Sequence, residues 1–172
     1  MLRKISTALL IFVFYILQCT LFNELSLASV SPNLMIIITF AIGFMRGRKA
    51  GIITGFFCGL LIDCFSGSVI GFNALIFMYI GYFNGVFHRL FYDEDVTLPL
   101  VLVVGSDFAY LFSFYVIRFV LRNRLNFGEY FTKVMLPEML YTVIIAILIY
   151  RLLLKWNRFL EAREQRSETK FD

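Results

Sequence analysis

Three carboxylates interrupt long apolar runs of this sequence: Asp63, Asp107 and Glu138. An acid in such surroundings can move a proton, hold a cation or complete an ion pair, and each task needs partners at matched depth. Asp63 closes the stretch GlyPhePheCysGlyLeuLeuIleAsp at 55–63, and the polar residues nearest to it are SerGlySer at 66–68 and Asn73. Asp107 lies midway along an apolar stretch and is the deepest of the three. Glu138 follows Pro137 near the start of the last apolar run, where a helix N-terminus offsets negative charge, and Arg118 is a candidate partner for it. Asp63 and Glu138 fall near the outer boundary of their runs and Asp107 near the middle, so the spacing predicts no catalytic dyad. His88 is the one histidine, and Cys19, Cys58 and Cys64 lie in apolar stretches without a CxxC pair. No SerHisAsp set, zinc signature, phosphate loop or paired-aspartate protease motif is present. The expectation is therefore no enzyme, no metal, no cofactor, and thiols that stay reduced and packed against helices or lipid.

The glycines carry the stronger pattern. Gly43, Gly47, Gly51, Gly55 and Gly59 recur every fourth residue, and Gly67 with Gly71 and Gly81 with Gly85 repeat the step. On a helix this opens a groove into which a second backbone can settle, and close packing of that kind drives helix association in lipid. Gly51, Gly55, Gly59, Gly81 and Gly85 are predicted to form contact faces, either among the protein's own helices or toward another chain. Asp63 extends the ladder by one more step and is expected to face inward.

The elements that must position these residues follow from composition. The chain has 172 residues, 60% of them hydrophobic and 16% charged, with a mean hydropathy of +0.80. That excludes a disordered chain, a collagen and a disulfide-knotted mini-protein, and it predicts an all-α, polytopic integral membrane protein. At about 20 residues per crossing, six transmembrane helices use nearly the whole chain and leave no room for a soluble catalytic domain. The first lies between Lys4 and Glu24, and the second runs from Leu34 to Met45 after Pro32. The third, Ala50 to Ile62, rises only about 20 Å against a core of about 30 Å. It must continue as helix through Asp63 to Phe65, or 66–71 must enter the bilayer as non-helical backbone, and a mixture of the two is expected. The fourth covers Phe72 to Phe87, the fifth runs from Pro99 to Val120 and the sixth from Val134 to Leu154. Residues 1–154 thus form a transmembrane domain. Residues 155–172 form a charged cytoplasmic tail, a short surface helix or a frayed end, with Trp156 at the interface. An uncleaved start is expected, because no small-x-small site follows the first run.

With the N-terminus inside, twelve Lys and Arg fall on the cytoplasmic side and four on the other. This arrangement satisfies the positive-inside rule with both termini cytoplasmic. The inner cations include the turn Arg46, Arg48 and Lys49. They are scattered over separate loops, which argues against nucleic acid as a partner.

With these features in place, the sequence resembles the rod shape-determining protein MreD family. The resemblance is carried by ProAsnLeu at 32–34, GlyPheMetArgGlyArgLysAlaGly at 43–51, GlyPhePheCysGlyLeuLeuIleAsp at 55–63, GlyPheAsnAla at 71–74, and TyrThr at 141–142 after Pro137. It implies a bacterial inner-membrane component of the cell-elongation machinery, a non-catalytic scaffold that binds MreC. MreB, RodA and a class B penicillin-binding protein would be its wider partners in organising peptidoglycan synthesis. It also implies a fold similar to the six-helix substrate-binding subunits of energy-coupling vitamin transporters. Asn33 stands where family members frequently carry an acid.

The mechanism expected from these residues is an intramembrane clamp. Its glycine faces would receive the partner's single transmembrane helix, while Arg46, Arg48 and Lys49 meet anionic membrane lipid or the cytoskeletal filament, or serve only as orientation signals. The alternative is a small-molecule-binding transporter subunit with a pocket lined by Asp63, Asn73 and Asp107. A proton-conducting or lipid-handling channel would need a continuous polar path that Asp107 and Glu138 alone do not supply.

Overall fold

The computed structural model describes residues 2–24, 31–66, 70–90, 97–116 and 127–168, and no strand occurs among them. The helices are α1 (Leu2–Glu24), α2 (Leu34–Arg46), α3 (Arg48–Ser66), α4 (Phe72–Val86), α5 (Thr97–Tyr115), the short α6 (Phe127–Tyr130) and α7 (Leu136–Glu168). A 3₁₀ turn, Phe87–Leu90, follows α4, and a π turn, Phe131–Met135, joins α6 to α7. The expected Arg118 partner of Glu138, Gly67, the SerGlySer stretch beyond Ser66, the acidic turn at 93–95 and the end of the fifth span lie outside the described residues.

The centre of the molecule is α2. Every residue from Leu34 to Met45 is buried, as an all-round apolar helix requires when other helices surround it. It lies against α1, α3, α4, α5 and α7. Its start is fixed by Asn33, whose Oδ1 accepts the Ile36 N–H at 3.3 Å. Its end is a single-residue reversal at Gly47, with φ of 86° and an N–H donated to the Gly43 carbonyl at 2.8 Å. Only glycine takes that backbone conformation without strain. The ladder of five glycines therefore does not run along one helix: Gly43 is on α2, Gly47 is the turn, and Gly51, Gly55 and Gly59 are on α3.

Of the expected mixture that lengthens the third apolar run, the helical extension is seen, since α3 passes through Asp63 to Ser66; residues 67–69, on which the other part rests, lie outside the described ones. The last rod departs further from expectation. The helical path starts at Phe127 instead of Val134 and absorbs Pro137 through the π turn, where the Leu136 N–H reaches back to the Phe131 carbonyl. Proline supplies no N–H and crowds the preceding turn, and a wider turn relieves both problems. Beyond it α7 passes Leu154 without a break and continues to Glu168, with Asn157 and Leu160 buried. The sixth run and the start of the expected tail are one rod. Among the described residues, Thr97–Tyr115 and Gly128–Leu160 are long and apolar enough to cross a membrane, while the apolar helices Ile5–Thr20 and Leu34–Arg46 are shorter.

Candidate functional site

The most extensive helix contact in the molecule joins α3 to α4, and glycine makes it. A side-chain carbon placed on Gly51 would run into the carbonyl of Gly81, one on Gly55 into the carbonyl of Phe77, and one on Gly59 into the backbone of Ala74. At Gly85 it would stand 2.5 Å from the Arg48 backbone, and at Gly43 2.8 Å from the Gly81 carbonyl oxygen. Three backbones thus meet at Gly43, Gly51 and Gly81. The expectation that this face receives a partner's helix is corrected: α4 already fills it, and the small residues serve internal packing. A four-residue spacing reports close approach and is blind to whose backbone approaches.

Asp63 closes the far end of the same hairpin. Its side chain is 1% exposed. Oδ2 accepts the N–H groups of Gly71 at 2.9 Å and Ala74 at 3.1 Å, and Oδ1 accepts the Asn73 N–H at 3.2 Å and its side-chain amide at 2.8 Å. Helix α4 begins at Gly71 in a left-handed conformation, φ 97°, and its orphan N–H groups are satisfied by an acid from the preceding helix. Of the surroundings expected for Asp63, Asn73 is the one observed, and both residues are committed to this cap.

A second polar cluster gathers at the start of α2. The Asn33 N–H donates to Thr142 Oγ1 of α7 at 3.3 Å, and the Met35 N–H donates to Gln18 Oε1 of α1 at 3.3 Å. Asp107 of α5, fully buried, lies against Thr142. Glu138, one turn before Thr142 on α7, is close enough to Asp107 to interact with it electrostatically. The two acids, expected at different depths, are thus within electrostatic range of each other, and Glu138 sits about three turns into the helical path that begins at Phe127. Sequence alone gives Gln18 and Thr142 no role in this cluster. Their signal is a lone polar residue in an apolar helix, which in lipid finds a partner on another helix. Asp63 and Asn73 are joined at the α3–α4 end, and Asp107 lies toward Thr142 of α7.

The opposite end of the bundle is tied by Arg46. Its Nε donates to Asn157 Oδ1 and its Nη1 to Thr7 Oγ1, both at 2.8 Å. The guanidinium carbon lies 5.0 Å from the Trp156 ring centroid. The side chain expected to meet lipid or a filament instead joins α1, α2 and α7, whereas Arg48 and Lys49 are exposed. His88 Nδ1 pairs with the Phe44 carbonyl at 2.8 Å, so the ring nitrogen donates and caps the last turn of α2. Arg46→Gln is expected to cost about 1–3 kcal/mol of stability by breaking hydrogen bonds to a charged donor. Arg48→Gln and Lys49→Gln should each stay within about 0.5 kcal/mol, as exposed residues do. Thermal unfolding in one detergent checks the contrast, and equal losses would remove the structural role given to Arg46.

These geometries coincide with the sequence stretches that carried the resemblance: the α2 start, the glycine hairpin, the Asp63 cap and Thr142. A family model for the rod shape-determining protein MreD matches residues 2–160. The chain belongs to the MreD family. No curated protein and no solved structure matches it. As a member of the MreD family it is an all-α, membrane-associated, non-catalytic scaffold of the rod-shape machinery, and it associates with MreC. The transporter alternative is set aside by the same match.

Proposed function

We propose that this MreD-family protein crosses the cytoplasmic membrane six times with both termini inside, and that it positions MreC from the outside of a rigid core. The observation that carries this reading is the closure of α2, α3 and α4 on one another through glycine backbones. A block of that kind has no free groove at its glycines, so partner contacts belong to the outer faces of the peripheral helices. The twelve-to-four distribution of Lys and Arg supports the orientation. Residues 155–168 then continue α7 beyond the bilayer as a charged extension facing MreB. RodA and a class B penicillin-binding protein join through the wider assembly in organising peptidoglycan synthesis.

The surface best formed to meet a partner's helix is on α7. Leu140, Ile144, Leu148 and Leu152 follow one another at four-residue steps and are all exposed. Such a row is the ridge that packs into a neighbouring helix's groove. With Ile144→Cys and Leu148→Cys, disulfide cross-linking in membranes to cysteines placed along the MreC transmembrane segment should trap the pair. Cross-links that form instead only from the outer face of α1, at Leu9 or Phe12, would overturn the assignment to α7.

A further inference from the structure

On the side facing away from α2, the hairpin of α3 and α4 leaves an open groove of about 570 Å³. Ile52 and Phe56 of α3 and Ala74, Met78, Tyr79 and Tyr82 of α4 line it. The helices are antiparallel, so Ile52 and Tyr82 mark the end nearer Gly47 and Ala74 marks the end nearer Asp63. Arg48 lies one turn before Ile52, at the first end, with its guanidinium carbon 5.7 Å from the Tyr82 ring centroid. Its backbone is seated against Gly85, where any side chain would clash with it. Both Arg48 and its neighbour Lys49 are exposed. An apolar trough therefore ends on a cation whose backbone is fixed by close packing and whose side chain stacks on an aromatic wall.

We propose that this groove binds one acyl chain of an anionic membrane phospholipid, with the phosphate on Arg48 and Lys49. The inference rests on the reading of α3 and α4 as membrane-crossing helices. Size argues for a lipid chain: a crossing helix about 10 Å wide and 30 Å long fills roughly 2,000 Å³, whereas the groove lies within the roughly 300–1,000 Å³ of small-ligand sites. Charge argues for an anionic headgroup. A zwitterionic lipid gains the same burial and brings the same phosphate, but its ammonium offsets that charge beside Arg48 and Lys49, and basic pockets between membrane helices are where acidic headgroups settle. The planar guanidinium, already oriented by Tyr82, offers paired donors to a phosphate.

The test is native mass spectrometry of the full-length protein in a neutral detergent, titrated with phosphatidylglycerol, with phosphatidylcholine of the same chains, and with soluble glycerol phosphate. Phosphatidylglycerol should bind more tightly than phosphatidylcholine by about fivefold for each cation engaged, and glycerol phosphate should not compete. Arg48→Gln with Lys49→Gln should erase the preference between the lipids. Ile52→Trp, which fills the trough, should weaken both lipids together. Equal binding of the two lipids, a preference that survives Arg48→Gln and Lys49→Gln, or full competition by glycerol phosphate would overturn the proposal. Tyr79→Cys cross-linking to a second copy or to another protein's helix at the groove would also overturn it. If Ile52→Trp fails to fold, the exposed Arg48 and Lys49 variants still decide the case. Cysteine accessibility along α3 separates the two levels: if α3 lies outside the bilayer the six-crossing reading fails, and if it crosses while the lipids tie, only the groove assignment fails.

Discussion

Alanine in place of Gly51, Gly55 or Gly59 is expected to destabilise the protein by about 2 kcal/mol or more, although alanine is the better helix former. Intrinsic propensity favours the substitution by about 1 kcal/mol; overpacking opposes it by about 1–3 kcal/mol and occasionally more, and a clash with backbone belongs at or above the upper end, which leaves a net loss of about 2 kcal/mol or more. What decides the sign is the obstacle. At these three positions the new carbon meets the backbone of α4, at Phe77, Gly81 and Ala74, with no flexible side chain able to swing away. The helices must separate along the whole interface and loosen the contacts that neighbouring residues make across it. Gly105 on α5 is the internal control, because a side-chain carbon there meets nothing within 4 Å. Gly105→Ala is expected to raise stability by about 0.5–1 kcal/mol. Thermal unfolding of the purified proteins reads both signs. Association with MreC should fall in step with stability across the hairpin series. A Gly55→Leu protein that melts like the wild type yet no longer brings down MreC would return the glycine face to partner docking.

Sequence reached the all-α class, the close helix approach at the glycines and the inward place of Asp63, because hydropathy and four-residue spacing are local properties of the chain. It did not reach which faces meet. Leu34 to Met45 reads equally well as a lipid-facing run, and its burial inside the bundle depends on five other helices arriving around it. Gly47 sits in perfect register with its neighbours, yet its positive φ makes it the reversal between α2 and α3, and register carries no information on backbone handedness. Arg46, Arg48 and Lys49 are indistinguishable as charges near a turn. Only the placement of Thr7 and Asn157, far apart in sequence, turns Arg46 inward. The start of the last rod is also hidden in sequence: the apolar run begins near Val134, whereas the helical path begins at Phe127 and a π turn carries it past Pro137.

The strongest polar effect is expected at Asp63, and its size can be bounded from two directions. Asp63→Ala removes both acceptor oxygens from four donors: the N–H groups of Gly71, Asn73 and Ala74 and the Asn73 side-chain amide. Hydrogen bonds between membrane helices average about 0.6 kcal/mol, so four of them set a floor near 2 kcal/mol. Bonds to a charged acceptor at a buried site are worth about 1.5–3 kcal/mol each, and here they also match the positive end of the α4 dipole. A loss of about 3–4 kcal/mol lies between these limits, since some freed donors will find water or relax into the last turn of α3. Asp63→Asn distinguishes the acceptor role from simple space-filling. It keeps the shape but turns one oxygen into an NH₂ group facing N–H donors, so it should fall between alanine and wild type and should not rescue the cap. Thermal unfolding ranks the three proteins, and protease cleavage between α3 and α4 should rise in the same order. If asparagine equals wild type, the cap acts as a neutral hydrogen-bond acceptor and the dipole contributes nothing. If alanine does as well, the fourfold acceptor seen at Asp63 is not what holds the hairpin, and the rigidity attributed to the core must come from the glycine interface alone.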